Sequence, residues 1–262
     1  MTEIRQTDVL DLARAHALQR ALGEAPDIEA GQPLPPFFHQ IYFWDAQPPT
    51  YLGRDGHPAV GHGLIPDLGL PRRMWAGGAL EFHAPLRAAV PAQKISRVER
   101  VTRKEGRTGP LGFVTLRHEV HQGGTLCLSD TQDLVYREDP DPAAPRPAPP
   151  VARTDETECE AVGFGSTLLF RYSALTFNGH RIHYDLDYAR DVEGYAGLVV
   201  HAPLLAHLLM RMASRRNPIK RFTFRATAPL MHVEAATLCR CDGDMWVRGP
   251  DGRQCLIATV DH

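Results

Sequence analysis

The chain has 262 residues and a net charge of −2, with 43% hydrophobic and 23% charged residues. Such a composition is that of a globular protein with one large or two modest domains. The nearly neutral charge balance excludes nucleic acid as the main partner. The longest apolar run, 197–212, is interrupted by two histidines, a proline and an arginine, which excludes a membrane span.

The five cysteines lack the spacing of a disulfide framework, and the sequence after Met1 does not resemble a signal peptide. We therefore predict reduced thiols and a cytoplasmic protein. Cys239 and Cys241 form a C-x-C without a second pair that would complete a zinc site, so buried structural cysteines are the better interpretation.

The predicted elements of the first half are a surface helix and a hairpin. Residues 8–22 suit a helix, and 93–102 and 111–120 alternate apolar and polar side chains as strands do, with a turn at 104–109 between them. Residues 139–150 contain six prolines, which favour an extended spacer. The chain is thus predicted to consist of a first unit (1–138), a linker (139–150) and a second unit (151–262).

The second half repeats the layout of the first. Ala-Pro-Leu occurs at 84–86 and again at 228–230, an offset that also places His183 opposite His39. Strands are predicted at 231–241, 245–248 and 255–260. A helix is predicted at 203–216, because five apolar residues recur there at helical spacing, proline stands in the first turn and arginines in the last. One long helix with antiparallel strands in each half predicts an α+β fold built from a duplicated unit.

One short segment near this helix carries the chemistry. Thr176-Phe-Asn178-Gly-His180-Arg-Ile-His183, followed by five residues and Ala189, has the spacing of the S-G-D-x-N-P-x-H signature. That signature belongs to the MaoC-like, type-2 enoyl-CoA hydratases, which the second half resembles. The resemblance places Asn178 at the family's catalytic Asp and His183 at its catalytic His.

The same resemblance extends to neighbouring positions. His180 stands at the family's Asn, Arg181 at its Pro, and Ala202 at the Gly that opens the central helix and offers a backbone N–H. The sequences of residues 171–185 and 70–78 resemble those of one branch of the family, the mesaconyl-C4-CoA or itaconyl-CoA hydratases. That branch is related to mitochondrial-type 3-hydroxyacyl-thioester dehydratases. This implies a double hot-dog, with two antiparallel sheets each wrapped around a central helix and a degenerate first copy.

Hydration of a 2-enoyl thioester needs a base for water, a proton for Cα and stabilisation of the enolate oxygen. His183 is the expected base, because imidazole titrates near neutral pH; the alternative is a buried histidine satisfied by a carbonyl. Asn178 would position water or the thioester, or be an ordinary Asn-Gly turn residue. If His183 acts alone, water should add in syn fashion, whereas Asp185 and Asp187 are the other candidate acids. A metal at the H-x-x-H is rejected, because no further ligands have suitable spacing.

Several residues compete for the role of binding the substrate. A dicarboxylic acyl group has a free carboxylate that suits a bidentate arginine, for which Arg72, Arg73, Arg171 and Arg181 compete. The basic residues at the end of the predicted helix could bind the phosphates of coenzyme A or form a solvated helix end. His180, Tyr172 and His201 complete the set of candidate substrate-binding residues.

Three functions remain open at this point. The first is a hydratase that converts mesaconyl-C4-CoA or itaconyl-CoA to citramalyl-CoA, as in itaconate degradation. The second is a 3-hydroxyacyl dehydratase with a long linear acyl chain on CoA or acyl carrier protein, and the third is a non-catalytic acyl-thioester-binding module. No cofactor is expected beyond the coenzyme A of the substrate, and the fold is compatible with a homodimer of double hot-dogs.

Overall fold

The computed structural model describes residues 3–61, 63–106, 109–139 and 148–262. Ten strands and three α-helices occur in this part of the chain. The strands are β1 (Glu3–Asp8), β2 (Arg72–Phe82), β3 (Ala92–Gly106), β4 (Gly109–Gln122), β5 (Thr125–Arg137), β6 (Glu158–Val162), β7 (Arg221–Ala226), β8 (Ala236–Cys241), β9 (Asp244–Arg248) and β10 (Gln254–Asp261). The helices are α1 (Leu12–Ala21), α2 (Ser166–Thr176) and α3 (Ala202–Ser214).

All ten strands form one antiparallel sheet with a symmetrical strand order. The order is β1-β3-β4-β5-β2-β7-β10-β9-β8-β6, so that each half contributes five strands in the same sequence from edge to centre. The halves meet where β2 pairs with β7, from Gly77 opposite Arg225 to Glu81 opposite Arg221. The predicted duplication is therefore visible in the topology, and the predicted α+β double hot-dog is confirmed, with its two sheets joined edge to edge.

Helix α3 is the central helix of the second half. Ten of its thirteen residues are buried, because β2, β7, β9 and β10 all pack against it. A fully buried leucine side chain contributes about 1.5–3 kcal/mol to stability, so this helix anchors the main core. The prediction of a helix at 203–216 is confirmed, but the apolar stripe is in fact an almost completely buried surface.

The first half differs from the expectation of a second central helix. The offset of the duplication would place its counterpart at 58–70, and the described residues of that range form turns and no helix. The sequence explains the difference, since two prolines occur there and Gly61, Gly63 and Gly69 have φ values of 83°, 71° and 67°. Left-handed glycines and prolines both terminate helices.

Three predicted boundaries were wrong and most others were confirmed. The turn predicted at 104–109 is shorter, because β3 continues to Gly106 and β4 begins at Gly109. Helix α1 begins at Leu12 because Asp8 ends a strand and the Asp11 side chain caps the helix. Strand β8 begins at Ala236 because Met231 and Glu234 form a turn closed by two hydrogen bonds, one from each backbone N–H. Residues 140–147 of the predicted linker lie outside the described residues, so the division of the chain at 139–150 stays a prediction. No helix in the described part of the chain is long and apolar enough to cross a membrane.

Candidate active site

A cavity of about 470 Å³ lies where the two halves meet, and both halves contribute to its wall. Its apolar lining comes from β2, β4 and β5 of the first half and from the segments around α3 in the second. Seven of the predicted site residues line this cavity: His183, Asn178, Ala202, His180, Tyr172, Arg72 and Arg73. Residues that are far apart in sequence thus form a single site.

His183 lies in a short 3-10 turn, Arg181–His183, and is buried. Its Nδ1 is 2.7 Å from the carbonyl oxygen of Val199. Because a carbonyl only accepts, Nδ1 carries the proton and Nε2 has its lone pair free. Burial lowers the pKa of His183 to about 4, although the hydrogen bond to Val199 opposes this shift. At neutral pH the ring is therefore a neutral base, and among the described residues nothing else bonds to Nε2.

His201 lies behind His183 rather than in the cavity wall. The two rings stack with centroids 3.6 Å apart and planes 19° apart, and Nε2 of His201 is 2.8 Å from the Ser173 hydroxyl. Burial lowers the pKa of His201 well below its usual range, so the stacked rings are both neutral. This packing fixes the plane of the His183 ring. We predicted a substrate-binding role for His201, but its location favours a supporting one.

Asn178 follows α2 at a left-handed residue, Phe177, whose φ is 51°. The Asn178 Oδ1 accepts the backbone N–H of His180 at 3.0 Å, which makes the turn that sequence had suggested. This bond uses the oxygen, so the Nδ2 amide of Asn178, a residue that lines the cavity, remains as a donor. A donor of this kind can hold a water or a thioester oxygen but cannot transfer a proton.

Ala202 is the first residue of α3 and lies in the cavity wall. His201 occupies the N-cap position of α3, but within the described ranges no side chain forms a capping hydrogen bond to this helix end. Proline follows as Pro203 and has no N–H. The partial positive charge of the helix N-terminus is therefore directed towards the cavity, where an enolate oxygen would be stabilised.

His180 makes contact with a residue that sequence reasoning missed, His57. Their ring centroids are 4.9 Å apart, and the His180 ring is 5.5 Å from that of His183. His57 belongs to a loop of the first half that packs on the second half backbone to backbone. The loop is bound by a hydrogen bond from the Arg181 N–H to the Asp55 oxygen at 2.9 Å. No motif marks His57, because its position depends on this long-range packing.

The close approach requires glycine on both sides. Gly56 has φ of 84°, and a Cβ there would lie 2.2 Å from the Gly179 carbonyl oxygen. We expect Gly56→Ala to lower kcat/KM by about 10²-fold, because a shift of about 1 Å at the site has this effect. Steady-state kinetics and thermal unfolding measure the outcome.

Gly31→Ala is the matched control for this substitution. Gly31 has φ of 81°, but a Cβ there meets nothing within 4 Å. Both variants should lose about 1–3 kcal/mol from the left-handed backbone, and only Gly56→Ala should also lose activity. Equal activity of the two variants would contradict this account of the loop.

Arg72 and Arg73 lie on β2, whose side chains alternate between opposite faces. Arg72 is buried, and its Nη2 is 2.6 Å from Oε2 of Glu193, which is also buried. Nη2 also donates to the Tyr195 hydroxyl at 3.1 Å. Glu193 and Tyr195 both line the cavity and were missed by sequence reasoning, since 121 residues separate Arg72 from Glu193.

Other candidates lie outside the cavity wall formed by the described residues. Arg171 is exposed on α2. Arg181 forms an ion pair of 2.7 Å with Asp185 and covers the Tyr188 ring at 4.2 Å. The arginines that follow α3 are paired with glutamates of β6 rather than free. Tyr172 does line the cavity, with its ring 5.1 Å from His201 and completely buried, which favours a packing role.

The first-half counterpart of His183 has no access to this cavity. His39 is buried with Nε2 3.4 Å from Oδ2 of Asp130, and the same oxygen accepts from Gln40 and Gln132 at 2.9 and 2.8 Å. Only the two glutamines reach the cavity wall. The first copy has therefore kept a histidine but not an open site.

The chain is similar to known proteins in sequence and in fold. The sequence profile of hydroxyacyl-thioester dehydratase type 2 matches residues 37–232. The chain is 46% identical over 241 residues to the mesaconyl-C(4)-CoA hydratase of Chloroflexus aurantiacus, covering 88% of this chain and 85% of that one. It is 27% identical over 245 residues to the mitochondrial hydroxyacyl-thioester dehydratase type 2 of Schizosaccharomyces pombe, covering 82% and 80%.

Solved structures share the fold at low sequence identity. HtdX of Mycobacterium tuberculosis superposes with a TM-score of 0.70 at 19% identity, covering 99% of both chains. Another protein of that organism, described as having a double hotdog fold, superposes with a TM-score of 0.62 at 14% identity, covering 99% of this chain and 94% of that one. These similarities support the architecture described above and nothing beyond it.

Proposed function

Because this chain belongs to the hydroxyacyl-thioester dehydratase type 2 family, and is thus a hydro-lyase, we propose that it hydrates mesaconyl-C4-CoA to citramalyl-CoA. The observation that carries the proposal is the free Nε2 of His183 in a cavity that also contains the N-terminus of α3. A base and an electropositive helix end in one cavity are what hydration of an enoyl thioester needs. The identity with the Chloroflexus hydratase supports the choice of acyl group.

The reaction follows from these groups. Nε2 of His183 takes a proton from water while the water oxygen bonds to Cβ, and the electron pair of the C=C bond moves towards the thioester oxygen. The helix end at Ala202 stabilises the resulting enolate, and Asn178 holds water or thioester in place. The imidazolium then returns its proton to Cα, which restores the thioester and the neutral base. Because the same imidazole ring carries out both proton transfers, the hydroxyl and the proton add to the same face of the alkene.

The carboxylates near the cavity are engaged in ion pairs, which agrees with a mechanism that uses a single acid–base group. Asp185 is engaged with Arg181, and Glu193 is the one carboxylate that the described residues contribute to the cavity wall. Glu193 is itself occupied by Arg72 and by the Tyr188 hydroxyl at 3.2 Å. His183 therefore acts without a second acid in this proposal, in keeping with an amide at position 178.

The alkene position separates the two dicarboxylyl substrates. In mesaconyl-C4-CoA the C=C bond is conjugated with the thioester carbonyl, so charge can move to the oxygen near α3. In itaconyl-CoA with the thioester on the methylene side, the C=C bond lies one carbon further away and this route is closed. The site therefore favours mesaconyl-C4-CoA, although both acyl groups would give citramalyl-CoA.

The test is to offer purified protein mesaconyl-C4-CoA, itaconyl-CoA and crotonyl-CoA. Loss of the enoyl-thioester absorbance follows the two conjugated substrates, and chromatographic separation of substrate and hydrated product follows itaconyl-CoA. We expect mesaconyl-C4-CoA to have the highest kcat/KM. A preference for crotonyl-CoA would instead support the fatty-acyl dehydratase, and no turnover of any substrate would support an acyl-thioester-binding module.

A further inference from the structure

The two arginines that line the cavity differ in whether a carboxylate neutralises their charge. Arg72 is buried and paired with Glu193, and Tyr195 takes part of its remaining donor capacity. A buried charge that lost this partner would be strongly destabilising, so the pair is fixed. Arg72 therefore has no free charge to offer a substrate.

Arg73 lies in different surroundings on the opposite face of β2. It is half-buried, and among the described residues no carboxylate lies within ion-pair distance of it. Tyr136 stands directly opposite on β5 with its hydroxyl buried, and Arg73 opposes the rise in the pKa of Tyr136 that burial causes. Residues opposed in this way share one face of the sheet. A cation and a buried hydroxyl thus lie side by side.

The cavity wall also includes two histidines, His57 and His180, whereas Tyr136 is not among the described residues that line it. Burial lowers the pKa of His57 well below its usual range, and the charge of Arg73 adds to the shift. Burial likewise lowers the pKa of His180 to about 3, with further contributions from His183, Arg73 and Arg72. Both rings are therefore neutral at pH 7, and both line the same cavity as Arg73. We call Arg73, Tyr136, His57 and His180 the Arg73 corner.

The charges of the cavity wall leave one positive charge uncompensated. Among the described lining residues the cations are Arg72 and Arg73, the single carboxylate is Glu193, and the histidines are neutral. Arg72 and Glu193 cancel, so Arg73 remains. A fatty acyl chain would leave this charge unpaired in a partly desolvated place, whereas an acyl group with one free carboxylate would neutralise it.

We propose that the Arg73 corner binds the free carboxylate of the acyl group and thereby selects dicarboxylyl thioesters over neutral ones. This inference rests on the proposed function and names the receptor within that site. In mesaconyl-C4-CoA the free carboxylate is bonded directly to the carbon that receives the hydroxyl. Its receptor must therefore lie near the base. Arg73 lines the same cavity as His183 and as His180, whose ring centroid is 5.5 Å from that of His183.

The first test compares substrates that differ only in this carboxylate. In 3-methylcrotonyl-CoA a methyl group replaces the carboxylate of mesaconyl-C4-CoA. We expect Arg73→Met to lower kcat/KM for mesaconyl-C4-CoA by about 10²-fold, the usual loss for a charged hydrogen-bonding partner, and to change kcat/KM for the neutral substrate much less. Arg73→Lys should recover part of the loss, since it keeps the charge without the planar fork.

Arg100→Met is the matched control, because Arg100 is an exposed arginine on β3 outside the cavity. It should leave both kcat/KM values unchanged. An equal loss on the two substrates in Arg73→Met would overturn the inference, since it would indicate a general structural role. Retention of the preference for mesaconyl-C4-CoA in Arg73→Met would overturn it too.

A second measurement is independent of turnover. Succinyl-CoA has a carboxylate on the corresponding carbon and butyryl-CoA has a methyl group, and neither contains an alkene that could be hydrated. Calorimetry should show that wild type binds succinyl-CoA more tightly and that Arg73→Met removes this preference. If mesaconyl-C4-CoA is not turned over, the proposed function fails, yet this binding preference still supports the corner. Without the preference in wild type, the corner is refuted.

Discussion

Replacing His183 with asparagine is expected to lower kcat/KM for hydration by about 10³-fold, with a much smaller change in KM. The asparagine amide can still donate to the Val199 carbonyl that now accepts from Nδ1 at 2.7 Å, so the local fold should persist. What the variant loses is the lone pair of Nε2, and a positioned general base contributes typically 10²–10⁴-fold. Steady-state kinetics with mesaconyl-C4-CoA measure the loss.

His16→Asn is the control, since His16 lies on α1, away from the cavity wall. It should retain wild-type kinetics, and both variants should keep the far-UV spectrum of the native protein. A His183→Asn variant with a tenth or more of wild-type activity would contradict the assignment of His183 as the base, because removal of a positioned base should cost more than a tenfold loss of activity.

The pH dependence follows from the same residue. The base must be unprotonated, and burial lowers the pKa of His183 to about 4 despite the opposing bond to Val199. In wild type, kcat/KM should therefore be constant through neutral pH and fall only as the pH approaches 4. A decline centred near 6.5 would indicate a solvent-exposed histidine instead.

The sequence allowed prediction of the parts of this site that lie close together along the chain. Asn178, His180 and His183 belong to one segment with a recognisable spacing, and α3 has clear helical periodicity. The hairpin of β3 and β4 was predicted from alternation and confirmed. Local patterns of this kind are sufficient because each element depends mainly on its own residues.

The rest of the site depends on contacts that no local pattern records. His57 reaches His180 because Gly56 and Gly179 bring two loops together, and Glu193 reaches Arg72 from a π-helical turn. The sequence does not indicate which of the two arginines of β2 is paired with a carboxylate. In contrast, the missing first-half helix had a visible cause, the glycines and prolines of 58–70, which outweigh the duplication in that segment.

Glu193→Gln should be among the most destabilising single changes in this chain. It leaves the charge of Arg72, which is buried to the same extent as Glu193, without a counter-ion. Breaking a buried pair in this way costs about 3–5 kcal/mol of unfolding free energy, which for a chain of this size is a fall in Tm on the order of 10 °C. Urea and thermal unfolding of the variant and of wild type measure the loss.

Two further variants show whether the lost pairing is the cause. Asp155→Asn breaks the exposed pair between Arg153 and Asp155, at 2.8 Å, and should hardly change Tm, because exposed pairs contribute little. The double variant Arg72→Met/Glu193→Leu removes both charges and replaces them with apolar side chains. It should be clearly more stable than Glu193→Gln, since apolar groups can replace a buried ion pair but cannot neutralise an isolated charge. If the double variant were instead the least stable of the set, the packing of these two side chains, and not their charge, would hold this wall of the cavity together.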